Sequence, residues 1–156
     1  MNTLTIAAVI TLREMNAIDL PAIYHLLAGE ELRTEGILVT GTRYWGAFVE
    51  DQLVGMIGCE YGNGCGLLRS ALVRPEWRSR SIGRLLTERL LNEARLSALR
   101  TVYLFSTGAG AYWRRLGFCE VPVAQVVSAL PEAPQVKLFE RLGWLPTEVA
   151  YGLCPA

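Results

Sequence analysis

The segment that most constrains the fold spans residues 72–83 and reads L-V-R-P-E-W-R-S-R-S-I-G. An apolar strand ends at Pro75, a short basic turn follows, and Gly83 opens an amphipathic helix. Such a turn gathers free backbone N–H groups at the positive end of a helix, and neighbouring arginines add charged donors. The segment therefore predicts an anion site suited to a pyrophosphate.

The same residues allow a simpler interpretation, a strand-to-helix connection whose arginines are merely solvated. Pro75 and Gly83 alone fit that interpretation, whereas the whole string between strand and helix favours phosphate binding. The chain contains no G-K-[ST] loop and no G-x-G-x-x-G motif. A nucleoside triphosphatase and a dinucleotide dehydrogenase are therefore disfavoured, and we predict a phosphate-containing cofactor of another kind.

Composition limits the class of protein. Hydrophobic residues make up 51% of the 156 residues and charged residues 19%, which excludes disorder and implies a large core or a buried subunit interface. We predict a homodimer on this ground. The formal net charge is zero, so neither nucleic acid nor an anionic membrane is indicated as a partner.

Targeting and metal signals are weak. Residues 1–12 are apolar but lack a basic leader, so we predict a first strand there, and no apolar run approaches the ~20 residues of a membrane helix. A single histidine and four scattered cysteines predict no metal site. The cysteines are expected to be reduced thiols of a cytoplasmic protein.

Hydrophobic periodicity predicts one α/β domain over residues 1–156, with a core at about 10–121 and an extension at 122–156. Strands are predicted at residues 10–13, 44–50, 53–61, 66–73, 101–105, 118–121 and 148–153. Helices are predicted at residues 19–27, 83–96 and 110–116, with two short helices between Pro122 and Pro146. The strand at 101–105 is expected to run parallel to the one at 66–73, because the helix between them serves as a crossover.

Two motifs resemble the GNAT superfamily of acetyl-CoA-dependent N-acetyltransferases. The first places Val73, Pro75, Arg78, Ser81 and Gly83 in the family pattern V-x-P followed by [QR]-x-x-G-x-[GA]. The second is A-Y-W-R-R-L-G-F at residues 111–118. The resemblance implies a mixed, mostly antiparallel, splayed sheet with helices on both faces, and acetyl-CoA or coenzyme A as cofactor. It also implies a set of cofactor-binding residues, namely Leu72, Val73, Arg78, Ser79, Arg80, Ser81, Ile82, Gly83 and Arg84.

The chain departs from the family pattern at two positions. Ser81 replaces the first motif glycine, which we expect to be tolerated with a negative φ. Trp113 occupies the place where the family often has a tyrosine that protonates the leaving thiolate, and an indole is no proton source. Tyr112 is a candidate acid beside it, expected to point about 100° away around the helix, and both aromatics equally fit a core role.

Candidate residues for the acceptor lie outside the phosphate turn. Arg69 interrupts an apolar strand, where it either pairs with Glu60 on the neighbouring strand or grips a carboxylate of the substrate. Glu60 is a candidate base that removes the amine proton, with an exposed hairpin residue as the plainer interpretation. His25 lies on the first predicted helix, which commonly lines the acceptor site in the family.

Three segments, 67–70, 103–109 and 121–126, are also similar to small acetyltransferases of bacterial arsenic-resistance operons. That group carries a C-P-x-S-A stretch near its end, whereas residues 145–150 read L-P-T-E-V-A. The substrate of that group is therefore not carried over.

The predicted function is direct transfer of acetyl from acetyl-CoA to the primary amine of a small, carboxylate-bearing molecule. No motif places a cysteine as an acyl carrier, which favours a ternary complex. Two alternatives stay open, a non-catalytic acyl-CoA-binding sensor and an acetyltransferase of protein amines.

Overall fold

A computed structural model describes residues 9–155 of the chain. The strands are β1 (Ile10–Glu14), β2 (Thr42–Val49), β3 (Gln52–Gly62), β4 (Cys65–Val73), β5 (Thr101–Phe105), β6 (Phe118–Val121) and β7 (Ala150–Leu153). The helices are α1 (Leu20–Gly29), α2 (Ile82–Leu96), α3 (Gly110–Arg115), α4 (Val123–Ala129) and α5 (Pro134–Leu142). Residues 1–8 of the predicted first strand lie outside the described residues.

The seven strands form one sheet in the order β1-β2-β3-β4-β5-β7-β6. Every neighbouring pair is antiparallel except β4 and β5, which are parallel and joined through α2. The predicted fold class and the predicted parallel pair are confirmed. The last strand begins at Ala150, later than predicted, because a 3-10 turn at Leu145–Thr147 precedes it.

The strands β4 and β5 separate after a short paired stretch. Pairing runs from Cys65 opposite Thr101 to Leu68 opposite Leu104 and then stops. A bulge follows at once in β4, where Ser70 has a φ of +54° and the register with β3 shifts. Bulges bend a strand and increase its twist, so the end of β4 turns away from β5 and leaves an opening in the sheet.

The helices cover both faces of the sheet. The apolar stripe of α2, formed by Leu86, Leu90 and Ala94, packs with Leu68 and with Trp113 of α3. Leu67 points to the opposite face, where α4 and α5 contribute buried residues, because successive side chains of a strand alternate between faces. The helix α1 covers β2 and β3 through a further buried cluster that contains Ile23, Leu26, Leu27, Tyr44 and Met56.

The cysteine prediction was wrong for one pair. Cys119 and Cys154 form a disulfide, with their Cα atoms 5.1 Å apart. Cys119 lies on β6 opposite Gly152 of β7, and the ladder continues one residue beyond β7, where the Cys154 amide donates to the Gly117 carbonyl. Sequence spacing gave no sign of this pair, because the two residues are 35 positions apart and meet only through the sheet. Cys59 and Cys65 are free and buried.

Candidate active site

A cleft of about 1010 Å³ occupies the opening between β4 and β5. Its lining includes residues 68–73 of β4, the turn and first helical residues after β4, Tyr112 and Trp113 of α3, and Gln135, Leu138 and Phe139 of α5. The helices α2 and α3 lie on one face of the sheet and α5 on the other. The cleft therefore passes through the sheet and offers a separate site on each face.

The phosphate end of the cleft consists of residues 78–84. The amide of Leu85 donates to the carbonyl of Ser81, and the six preceding amides, of residues 79–84, find no backbone or side-chain acceptor in the described part of the chain. Free amides at a helix N-terminus carry partial positive charge and favour an anion. The phosphate end thus has the donors that a pyrophosphate requires.

The negative φ on which the accommodation of Ser81 was based is not observed. Its φ is +63° rather than negative, and Ser79 has a φ of +62°. Left-handed residues within a turn direct successive amides toward one point, an arrangement that creates an anion-binding concavity. A non-glycine residue in this region costs roughly 1–2 kcal/mol. The turn is therefore strained in order to expose its amides.

Most of the predicted cofactor residues line the cleft, and the exception is Arg80. The Arg80 guanidinium instead lies 4.6 Å from the centroid of the Trp77 ring. Arg78 lines the cleft but is held by the protein, because its Nε donates to the Val73 carbonyl at 3.0 Å and its Nη2 to Glu30 at 3.1 Å. Arg78 therefore ties the end of β4 to the residue that follows α1.

The two aromatic residues of α3 have different surroundings. Trp113 is buried and packs edge-on against Phe118, with ring centroids 5.7 Å apart. Tyr112 is half-buried, and its hydroxyl lies 2.9 Å from the position that a Cβ on Gly83 would occupy. The Tyr112 hydroxyl thus faces the first turn of α2 at the phosphate end, which favours a cofactor contact over the predicted acid.

The acceptor end of the cleft, on the α5 face, is organised by Arg69. Its Nη1 donates to Oε2 of Glu60 at 2.9 Å and its Nε to the Ser70 hydroxyl at 3.1 Å. The other carboxylate oxygen of Glu60 accepts the backbone N–H of Gln135, also at 2.9 Å. Glu60 therefore connects the arginine of β4 to the first turn of α5.

The environment of Glu60 differs from that of a catalytic base. Its side chain is fully buried, both of its oxygens accept protein donors, and it is not among the residues lining the cleft. Burial raises the pKa of Glu60, with Arg69 and the Gln135 amide acting in the opposite direction. This arrangement favours the ion pair over the predicted base.

The remaining predicted residue is His25. It is exposed on α1 and does not line the cleft. The acceptor end contains residues that the sequence analysis did not single out, namely Glu31, Leu32, Arg33, Gln135, Leu138, Phe139 and Trp144. They come from the loop after α1 and from α5 and its following turn, where no local motif marks them.

Within residues 9–155, no group of three or more His, Cys, Asp or Glu side chains is placed to hold a metal ion. None of the helices described is long and apolar enough to cross a membrane.

The family of the chain follows from a model of the Acetyltransferase (GNAT) family, which matches residues 10–118. The chain belongs to the GNAT acetyltransferase family. This membership confirms the predicted enzyme class and its cofactor, acetyl-CoA. The matched region contains the phosphate end and Arg69 but ends before α4 and α5.

Solved structures show the same GNAT fold. An acetyltransferase of the GNAT family from Staphylococcus aureus Mu50 superposes with a TM-score of 0.72 at 16% identity, over 93% of this chain and 98% of that chain. N-acetylglutamate synthase from Neisseria gonorrhoeae, complexed with coenzyme A and N-acetyl-glutamate, superposes with a TM-score of 0.74 at 18% identity. The match covers 94% of this chain and 35% of that chain. PaiA N-acetyltransferase from Thermoplasma acidophilum, in complex with coenzyme A, superposes with a TM-score of 0.61 at 15% identity. The match covers 73% of this chain and 92% of that chain. No curated protein matches the chain.

The described residues fit the cofactor of the GNAT family. The free amides of residues 79–84 suit its pyrophosphate, and Leu72 and Val73 line the cleft beside them. Five arginines and one glutamate line the cleft, and four of the arginines pair with glutamates outside the lining, which leaves Arg115 without a carboxylate partner among the described residues. The opening between β4 and β5 connects this end to Arg69.

Proposed function

We propose that this GNAT acetyltransferase acetylates the primary amine of a small molecule that carries a carboxylate. The observation that supports the proposal is Arg69, which lines the cleft yet has only 6% of its surface exposed. Its Nη2 donates to no residue in the described part of the chain, while Glu60 and Ser70 hold the rest of the guanidinium. A held guanidinium with free donors suits a carboxylate.

The charges of the cleft support the same class of acceptor. Its lining contains Arg33, Arg69, Arg78, Arg84 and Arg115 against the single acid Glu31. Four of these arginines pair with glutamates outside the lining, but a polyamine or an aminoglycoside would still bring several positive charges beside them with Glu31 as the lining acid to meet those charges. An acceptor with one amine and at least one acid group avoids that excess of positive charge.

Direct transfer is consistent with the positions of the cysteines. Cys59 and Cys65 are buried, Cys119 and Cys154 are joined, and none of the four lines the cleft, so the described residues offer no thiol as an acyl carrier. Acetyl-CoA supplies the acetyl thioester when bound, and a thiolate is a far weaker base than an alkoxide, so it departs without a dedicated acid. The chain's own contribution is to hold the acceptor by its carboxylate, through Arg69, on the far side of the opening.

The proposal is tested by titrating the purified protein with acetyl-CoA and coenzyme A in a calorimeter and then measuring thiol release with a panel of amines. We expect binding of both nucleotides and turnover with free amino acids, but not with spermidine or kanamycin. Turnover restricted to polyamines, aminoglycosides or peptide N-termini would contradict the proposal. The predicted homodimer, the cytoplasmic location and the relation to arsenic-resistance acetyltransferases stay predictions.

A further inference from the structure

We infer that the acceptor is an α-amino acid with a large apolar side chain. The inference rests on the proposed function and narrows its substrate class. It comes from an apolar wall at the acceptor end, formed by Leu32, Leu138, Phe139 and Trp144. Leu32 and Trp144 are exposed by 41% and 39%, whereas Leu138 and Phe139 are buried beneath them.

The apolar wall is built from two parts of the chain that line the same cleft. The rings of Phe139 and Trp144 lie 5.3 Å apart by their centroids, and Phe105 at the end of β5 lies 5.5 Å from Phe139. The guanidinium of Arg33, the residue after Leu32, lies 5.6 Å from the Trp144 ring and so brings the loop after α1 to the wall. Contiguous exposed apolar surface inside a cleft marks a binding site for an apolar group.

The apolar wall is close to Arg69. Gln135, whose backbone N–H holds Glu60, begins the α5 turn that leads to Leu138 and Phe139, a rise of about 6 Å along the helix. The loop after α1 also reaches Arg69, because a Cβ on Gly36 would lie 3.3 Å from Nη1 of Arg69 and 2.9 Å from Cβ of Pro134. A molecule the size of an amino acid therefore spans the distance from the guanidinium to the wall.

The charges beside the wall argue against a charged side chain on the acceptor. Arg33 is the cation nearest Trp144, but both its Nε and its Nη2 donate to the carboxylate of Glu35, at 3.0 Å and 2.6 Å. That pairing uses the Nε and Nη2 donors of Arg33, so an acidic side chain would have to compete with Glu35 for them. A basic side chain would find one acid among the lining residues, Glu31, and would lie near the guanidinium of Arg69. An apolar side chain alone gains from covering Leu32 and Trp144.

The experiment compares kcat/KM for acetylation of free L-phenylalanine, L-leucine, L-alanine and L-glutamate at saturating acetyl-CoA. We expect the two large apolar amino acids to be preferred over alanine and glutamate by about ten- to hundredfold, the discrimination that an apolar pocket provides. Trp144→Ala and Leu32→Ala are each expected to reduce the phenylalanine-to-alanine ratio at least fivefold. Leu142→Ala is the matched control, since Leu142 is 37% exposed on α5 but does not line the cleft.

Each outcome decides between the inference and the proposed function. Equal turnover of phenylalanine and alanine, or a ratio that Trp144→Ala and Leu32→Ala leave unchanged, overturns the inference while acetylation of amino acids still supports the proposed function. A ratio that falls equally in Leu142→Ala also overturns it. Acetyl-CoA binding without acetylation of any free amino acid overturns both.

Discussion

The phosphate end and the acceptor end of the cleft are built in opposite ways. The phosphate end is one short stretch of chain, and its donors are the backbone amides of residues 79–84. The acceptor end joins β3, β4 and α5 through side chains, and the bond from Gln135 to Glu60 spans 75 positions. The first depends on local backbone conformation, whereas the second requires the whole fold.

This difference predicts how each end responds to substitution. Changes at the phosphate end should alter cofactor binding and leave choice of acceptor intact, because amides recognise a phosphate regardless of the second substrate. Changes at the acceptor end should alter turnover and stability together, because the same buried ion pair positions the acceptor-binding guanidinium and stabilises the fold.

The largest effect is expected for Arg69→Met. Loss of the guanidinium should reduce kcat/KM for the acceptor at least about 30-fold, since truncating a buried charge partner costs about 2–5 kcal/mol. Unfolding free energy should also fall by about 3–5 kcal/mol, because Glu60 is left buried without its cation. Enzyme kinetics measures the loss of kcat/KM, and urea unfolding measures the loss of unfolding free energy. The Kd for acetyl-CoA should change less than about threefold.

The double variant Arg69→Met/Glu60→Gln separates the two roles of Arg69. The neutral amide avoids an unpaired carboxylate and still accepts the Gln135 N–H, so stability should recover while turnover stays low. Recovery of turnover along with stability would show that Arg69 acts only in the ion pair.

A smaller effect, on the cofactor alone, is expected for Gly83→Ala. The added Cβ would lie 2.9 Å from the Tyr112 hydroxyl, so the tyrosine must shift over the first turn of α2. We expect the KM for acetyl-CoA to rise about five- to tenfold, an order-of-magnitude value for a displaced binding group. The acceptor preference and the unfolding free energy should change little, since alanine is a better helix former than glycine.

Tyr112→Phe provides the matched control for Gly83→Ala. Removing the hydroxyl makes room for the Cβ, so Gly83→Ala/Tyr112→Phe should regain part of the lost affinity. Tyr112→Phe alone should raise the KM for acetyl-CoA and keep kcat within about twofold of the wild-type value. A kcat loss of about 100-fold or more, typical of a removed general acid, would return Tyr112 to the predicted role of acid.

At the acceptor end, Glu60 should make the unfolding free energy depend on pH. Burial raises the folded-state pKa of Glu60, so its contribution to stability is fully present below the unfolded value of about 4.3 and is lost as pH rises through the folded value. The slope from one such group is at most about 1.4 kcal/mol per pH unit. Urea unfolding between pH 4 and 8 should show this decline in the wild type and less of it in Arg69→Met/Glu60→Gln. Identical pH slopes in the wild type and the double variant would show that Glu60 is not the source of the decline in stability.

The smallest effect is expected for Ser81→Gly. Glycine removes the cost of the left-handed conformation at φ +63°, roughly 1–2 kcal/mol, but adds about 0.4–1 kcal/mol of unfolded-state entropy. The unfolding free energy should therefore rise by about 0.5 kcal/mol, with acetyl-CoA binding as tight or tighter. Ser81→Ala keeps the strain and serves as control, and an equal gain in both variants would show that the backbone is not its source.

Features that depend on residues close together in the sequence were predicted, and features that depend on distant residues were not. The order of strands and helices, the parallel crossover and the phosphate turn were predicted, because strand alternation, the stripe of α2 and the Pro75-to-Gly83 string are all local. The φ of Ser81 was mispredicted, since residue type argued for a negative value and the tight entry to α2 imposed the opposite.

By itself, the sequence determined the GNAT architecture, the cofactor and the position of the phosphate end, because each depends on residues close together in the chain. Tertiary structure alone decided that Cys119 meets Cys154, that Glu60 is held between Arg69 and α5, and that Leu32 and Trp144 share one wall. Those contacts join segments whose separation in sequence carries no signal. The disulfide arises from the pairing of β6 with β7, and the acceptor end from the bulge at Ser70 that opens the sheet and from α5, which lies over the opening.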